Sequence, residues 1–116
     1  MITLEQISDF FNETRELHQE ERISWSVDDA CRWSYYFNDT KREALVPLAD
    51  HLEAQGYEVV AIDESEDDGE YFLQVDRVEA HTPQSLFELG VEFEKLAEQF
   101  NIADYDGMDV SGVNEH

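Results

Sequence analysis

The sequence predicts an α+β sandwich: one four-stranded antiparallel sheet, two helices packed on one of its faces, and an extra helix at the N-terminus. Three observations predict it. Helical stripes flanked by capping signals separate segments whose apolar residues alternate with a period of two. Two of those segments are joined by a loop holding Asp68-Gly69, a turn dipeptide, with no room for a crossover helix, so they pair as an antiparallel hairpin. After the first helix the order is strand, helix, strand, strand, helix, strand, which is the split β-α-β order of the ferredoxin-like sandwich.

Each element has a local cause. Thr3-Leu-Glu-Gln6 fits a capping box, and Ile2, Leu4, Ile7, Phe10, Phe11 and Leu17 recur at near-helical spacing, so a helix is expected over 1–21. A connector without period leads to a strand over 30–37, where Cys31, Trp33, Tyr35 and Phe37 share the core face and Arg32, Ser34 and Tyr36 the other. Asn38-Asp39-Thr40 reads as a capping segment, with Thr40-x-x-Glu43 a second capping box opening a helix over 40–55 that carries Leu45, Leu48, Ala49 and Leu52 and ends at Gly56. Pro47 inside it implies a kink or a later start.

Strands follow over 57–62 and 70–78, the second alternating Tyr71, Leu73 and Val75 against Phe72, Gln74 and Asp76. Thr82 and Pro83 are an N-cap and a first helical residue, and Leu86, Leu89, Phe93, Leu96, Ala97 and Phe100 trace the stripe of a helix over 83–101. Leu89, Phe93 and Leu96 are expected to bury against Leu45, Leu48 and Leu52. A last strand over 102–110 is interrupted at Asp106-Gly107, and 111–116 is expected to fray. The free sheet face is left open or covered by the first helix. The 116 residues make one domain, with the sandwich over 30–110.

Charge narrows the function. Twenty-nine acidic residues against seven basic ones give a net charge of −22, so phosphate backbones and anionic membranes are repelled and the natural partner is cationic. A hydrophobic fraction of 41%, with seven Phe, five Tyr and two Trp, still supports a folded core. The lone Cys31 forms no intramolecular disulfide, the N-terminus lacks the basic and apolar regions of a signal peptide, and no apolar run nears the roughly 20 residues of a membrane helix. The cytoplasm is the expected compartment.

Chemistry-bearing patterns are sparse. The acids Asp63, Glu64, Glu66, Asp67, Asp68 and Glu70 do not fit a calcium loop, since counting from Asp63 puts Asp68 and Gln74 where an EF-hand needs Gly and Glu. His18, His51, His81 and His116 have no zinc spacing, and an acidic setting disfavours a Cys31 thiolate nucleophile. Trp33, Tyr35, Tyr71 and Phe72 could form a base-stacking platform, but the basic, glycine-containing signature of such domains is missing and core packing is the better reading. No catalytic residue, cofactor or metal is expected.

The segment Tyr105-Asp-Gly-Met-Asp-Val110, preceded by Leu96-Ala-Glu-Gln-Phe100, resembles the RraB-like family, the B-type protein regulators of ribonuclease E. Trp33-Ser-Tyr-Tyr-Phe37, Gly56-Tyr-Glu-Val59, Val75-Asp-Arg-Val-Glu79 and His81-Thr-Pro83 agree with that family's pattern, over about 30–110. The resemblance implies a non-catalytic α+β domain that binds ribonuclease E, inhibits it and so modulates RNA turnover. It points to Tyr105, Asp106, Gly107 and Asp109 as partner-binding residues, although the same motif also reads as a turn in which Gly107 takes positive φ and Asp106 caps local amides. The charge pattern adds Asp63, Glu64, Glu66, Asp67 and Asp68, because residues 59–116 hold 16 acids against 2 bases, while 1–58 hold 13 against 5. Two rival readings remain at this stage, an immunity-type inhibitor of another basic nuclease or toxin and a small enzyme of ferredoxin-like fold.

Overall fold

A computed structural model describes residues 2–65 and 69–113. The elements run α1 (Leu4–Gln19), β1 (Cys31–Asp39), α2 (Arg42–Ala54), β2 (Glu58–Glu64), β3 (Tyr71–Glu79), α3 (Pro83–Gln99) and β4 (Asp104–Ser111). The strands form one sheet in the order β2-β3-β1-β4, with each neighbouring pair antiparallel. Each helical crossover therefore skips one strand, α2 passing over β3 and α3 over β1. This is the expected ferredoxin-like α+β sandwich with an extra N-terminal helix.

One face of the sheet carries the core. Cys31, Trp33, Tyr35 and Phe37 are buried on it as the alternation requires, in one cluster with Leu45, Leu48 and Leu52 of α2 and Leu86, Phe93 and Ala97 of α3. Phe93 is the hub, its ring centroid 5.0 Å from Tyr35, 5.3 Å from Phe37, 5.9 Å from Tyr57 and 5.3 Å from Tyr105. Leu89 and Leu96, expected in that deepest row, are only partly buried, because the innermost line of α3 runs Leu86, Gly90, Phe93, Ala97. Helix α1 joins the same layer: the Phe11 ring stacks on Trp33 at 6.0 Å and 20°. The first helix thus caps one end of the core, and the opposite sheet face carries none of the three helices.

Three boundaries differ from the sequence reading. Strand β1 continues through Asn38 and Asp39, α2 begins at Arg42, and Lys41 occupies the N-cap without a side-chain hydrogen bond, so the Thr40 capping box does not form. The reason is Asp39, whose Oδ1 accepts the Lys41 N–H at 2.9 Å and whose Oδ2 accepts the Ala103 N–H at 2.9 Å, a strand-end cap reaching across to the entry of β4. The predicted caps of α1 and α3 do form, with Thr3 accepting from Gln6 and Thr82 from Ser85. At the C-terminus Ser111 still pairs in the sheet opposite Arg32, and Gly112 lies against Trp25, where a Cβ would come within 2.7 Å of the indole. The chain past β4 is therefore held through Gly112; residues 114–116 lie outside the described part.

Candidate functional site: an acidic corner of the uncovered sheet face

Register fixes what the uncovered face presents. Arg32, Ser34, Tyr36 and Asn38 project there from β1, and Phe72, Gln74, Asp76 and Val78 from β3. Glu58 and Asp63 of β2 lie opposite Asp76 and Phe72, and Gly107 and Asp109 of β4 lie opposite Tyr36 and Ser34. The centre of the face is pinned by an ion-pair relay. Arg32 donates Nε–H to Asp76 at 2.7 Å and also pairs with Glu58, while Gln74 donates to the second Asp76 oxygen at 3.0 Å. Asp76, only 5% exposed, is thereby satisfied on both oxygens.

Toward the end of the sheet where the β2-β3 hairpin closes, the face becomes aromatic and acidic. The rings of Tyr36 and Phe72 lie 6.5 Å apart at 61°. They line a depression of about 360 Å³ together with Asn38, Ser65, Glu70 and Asp106. Two local features open it. The β4 register slips by one residue between Tyr36 and Phe37, leaving Asp106 as a bulge. Gly107, at φ 135°, stands opposite Tyr36 with nothing within 4 Å of where a Cβ would be. Burial, reinforced by the Asp109 and Asp76 charges against a hydrogen bond with Ser34, raises the pKa of the Tyr36 hydroxyl, so the phenol stays neutral.

The expected partner residues now have places. Asp63 and Glu64 end β2 and are exposed, with the Glu64 N–H bonded to Asp63 Oδ1 at 2.9 Å and the hairpin closed by Ser65 N–H to Glu70 C=O at 2.7 Å. Asp106 and Asp109 are exposed on β4, at the opposite edge of the sheet from β2; Asp106 shares the depression with Glu70, while Asp109 lies further along the strand opposite Ser34. Glu66, Asp67 and Asp68 lie outside the described residues. Tyr105 is instead buried, tilted against Phe37 at 5.1 Å, with its hydroxyl pKa raised by burial and by the Glu94 charge. Its contribution is to fix the strand from which Asp106 projects. Phe72, expected from the sequence to pack in the core, instead lies half-buried on the uncovered face beside Tyr36, because it falls on the opposite pleat of β3 from Tyr71 and Leu73; two aromatics on the polar face of alternating strands are the readable signal for this depression.

On the helical side a second feature is built from partly buried polar groups around the buried Tyr35. Tyr35 donates its hydroxyl to Glu79 Oε2 at 2.7 Å, and His81 Nε2 is 2.7 Å from the same oxygen. His81 Nδ1 is 3.0 Å from the Ser85 hydroxyl, which links the group to the α3 N-cap. Burial pushes the Glu79 carboxyl up, but hydrogen bonds from His81 and Tyr35, with the charges of His81 and Arg77, outweigh it and hold the pKa below the ordinary value. Burial and the hydrogen bond to Glu79 raise the Tyr35 hydroxyl far above its usual range. Glu79 and His81 line a cleft of about 580 Å³ between α2 and α3. Cys31 is buried, its thiol pushed up by burial and by Asp29 and Asp28, which suits a packing role rather than a nucleophile.

The sequence profile described as regulator of ribonuclease activity B, RraB, matches residues 13–110. The chain belongs to the RraB family. The match runs from within α1 to Val110 of β4 and so takes in α2, α3 and all of the sheet but Ser111. A search of curated proteins gave no match. The resemblance expected from the sequence is thus shown, and the segments that carried it prove to be spatial neighbours: Tyr35, Tyr57 and Tyr105 ring Phe93, and Glu79 and His81 hold Tyr35. The family is one of ribonuclease regulators, which places the chain on the side of protein-mediated control of RNA degradation. None of the described helices is long and apolar enough to cross a membrane.

Proposed function

We propose that this RraB-family chain is a non-catalytic cytoplasmic inhibitor that binds ribonuclease E and lowers its cleavage of RNA. Family membership supports the class of target. The observation that carries the mode of binding is the set of exposed acids on the two edge strands, Asp63 and Glu64 ending β2 and Asp106 and Asp109 on β4, with Glu70 and Asp106 meeting at the Tyr36–Phe72 depression of the uncovered sheet face. A basic, RNA-binding stretch of the nuclease docks there, and substrate loses access to it. Glu66, Asp67 and Asp68 belong to the same acidic run, Tyr105 and Gly107 shape the strand, and no covalent step is required. A protein of charge −22 approaches such a stretch by electrostatic steering, which acts chiefly on the association rate.

Binding kinetics on immobilised ribonuclease E over a salt series test this. Exposed charges are screened beyond about 8 Å at physiological ionic strength, so association should slow steeply as salt rises while dissociation changes little. Absence of binding at low salt would refute the reading.

A further inference from the structure

We infer that the depression between Tyr36 and Phe72 is a receptacle for one arginine side chain of a protein partner. The inference rests on the proposed acidic docking corner and names the group that enters it. Charge alone would accept any cation, but the depression is more particular. It offers two half-buried aromatic rings at 6.5 Å and 61°, carboxylates at Glu70 and Asp106, and side-chain carbonyl and hydroxyl acceptors at Asn38 and Ser65. A guanidinium is planar, weakly hydrated and five-fold donating, so it can lie on a ring face while its edge donates to carboxylate and amide oxygens together. A lysine ammonium is a strongly hydrated point charge that gains less from both.

The volume agrees, since about 360 Å³ admits one long side chain and not a folded segment. The missing side chain at Gly107 leaves the flank of Tyr36 open to it, and burial keeps the phenol neutral beside its hydrogen bond with Ser34. A second copy of this chain is a poor occupant, because two −22 surfaces repel.

The test is titration of the full chain with an octa-arginine and an octa-lysine peptide at matched ionic strength, followed by calorimetry and by amide chemical shifts. Wild type should bind the arginine peptide about three- to tenfold more tightly than the lysine peptide. Shifts should centre on Tyr36, Phe72 and Asp106. Phe72→Leu and Asp106→Asn should each erase the preference while leaving the circular dichroism unchanged, and E13Q/E16Q on α1 should leave the preference intact. Equal affinity for the two peptides, or a preference that survives both pocket variants, overturns the receptacle. So does a concentration-dependent dimer that Phe72→Leu makes monomeric, which would make the depression an interface between copies. The ribonuclease reading is judged separately: a chain that inhibits ribonuclease E without arginine preference loses only the receptacle, whereas one that prefers arginine at this site without binding the nuclease loses only the function.

Discussion

The carboxylate of Asp39 accepts the backbone N–H of Ala103 at 2.9 Å, tying the end of β1 and the start of α2 to the entry of β4. The contact is part-buried, and removing it strands two backbone donors. Asp39→Ala should therefore cost about 1–3 kcal/mol, as expected for the loss of hydrogen bonds to a charged acceptor. Urea denaturation measures it, and hydrogen exchange should show the loss concentrated at Lys41 and Ala103.

Phe93 contacts four other aromatic rings from its place on α3. Truncation leaves a cavity at the centre of the helical layer, so Phe93→Ala should destabilise the fold by about 3–5 kcal/mol. Chemical denaturation decides this. A loss below about 1 kcal/mol would mean the rings repack without Phe93.

Glu79 gives the fold a pH dependence of known sign. Its pKa is held below the ordinary carboxylate value, so the folded state binds fewer protons than the unfolded state as pH falls. The stabilisation is complete above the unfolded value of about 4.3 and is lost as pH drops through the folded value. Stability measured from neutral to acid pH should therefore fall less steeply in Glu79→Gln than in wild type, and parallel curves would show that the carboxylate charge is not what stabilises the network.

The sequence displayed most of the fold because its signals were local. Alternation in 30–37 placed Trp33, Tyr35 and Phe37 correctly, and Thr82-Pro83 marked the start of α3, since each depends on neighbours one turn or one pleat away. Asp39 misleads because its partner, Ala103, lies at the entry of a strand distant in sequence: a residue that looks like a helix cap ties β1 to the start of β4. The acidic corner was half legible. The hairpin acids and the Tyr105–Asp109 motif were singled out separately, but only the strand order brings Asp106 beside Glu70 and Ser65. The polarity of the corner was visible in composition, whereas its concavity depends on a β-bulge at Asp106, which no run of residues announces.

The proposed inhibition of ribonuclease E depends on the exposed acids of β2 and β4, and not on negative charge in general. Its most direct test is RNA cleavage by ribonuclease E titrated with three proteins: wild type, a corner variant with Asp63, Glu64, Asp106 and Asp109 changed to Asn or Gln, and an equally neutralised variant with Glu5, Asp9, Glu13 and Glu16 of α1 changed likewise. Exposed substitutions of this kind usually alter stability by no more than about 0.5 kcal/mol each, so all three should be folded at assay temperature. Wild type should inhibit, the α1 variant should inhibit nearly as well, and at least about tenfold more of the corner variant should be needed for the same effect, the equivalent of about 1.4 kcal/mol of binding. Equal loss in the two variants, or full inhibition by the corner variant, would contradict it.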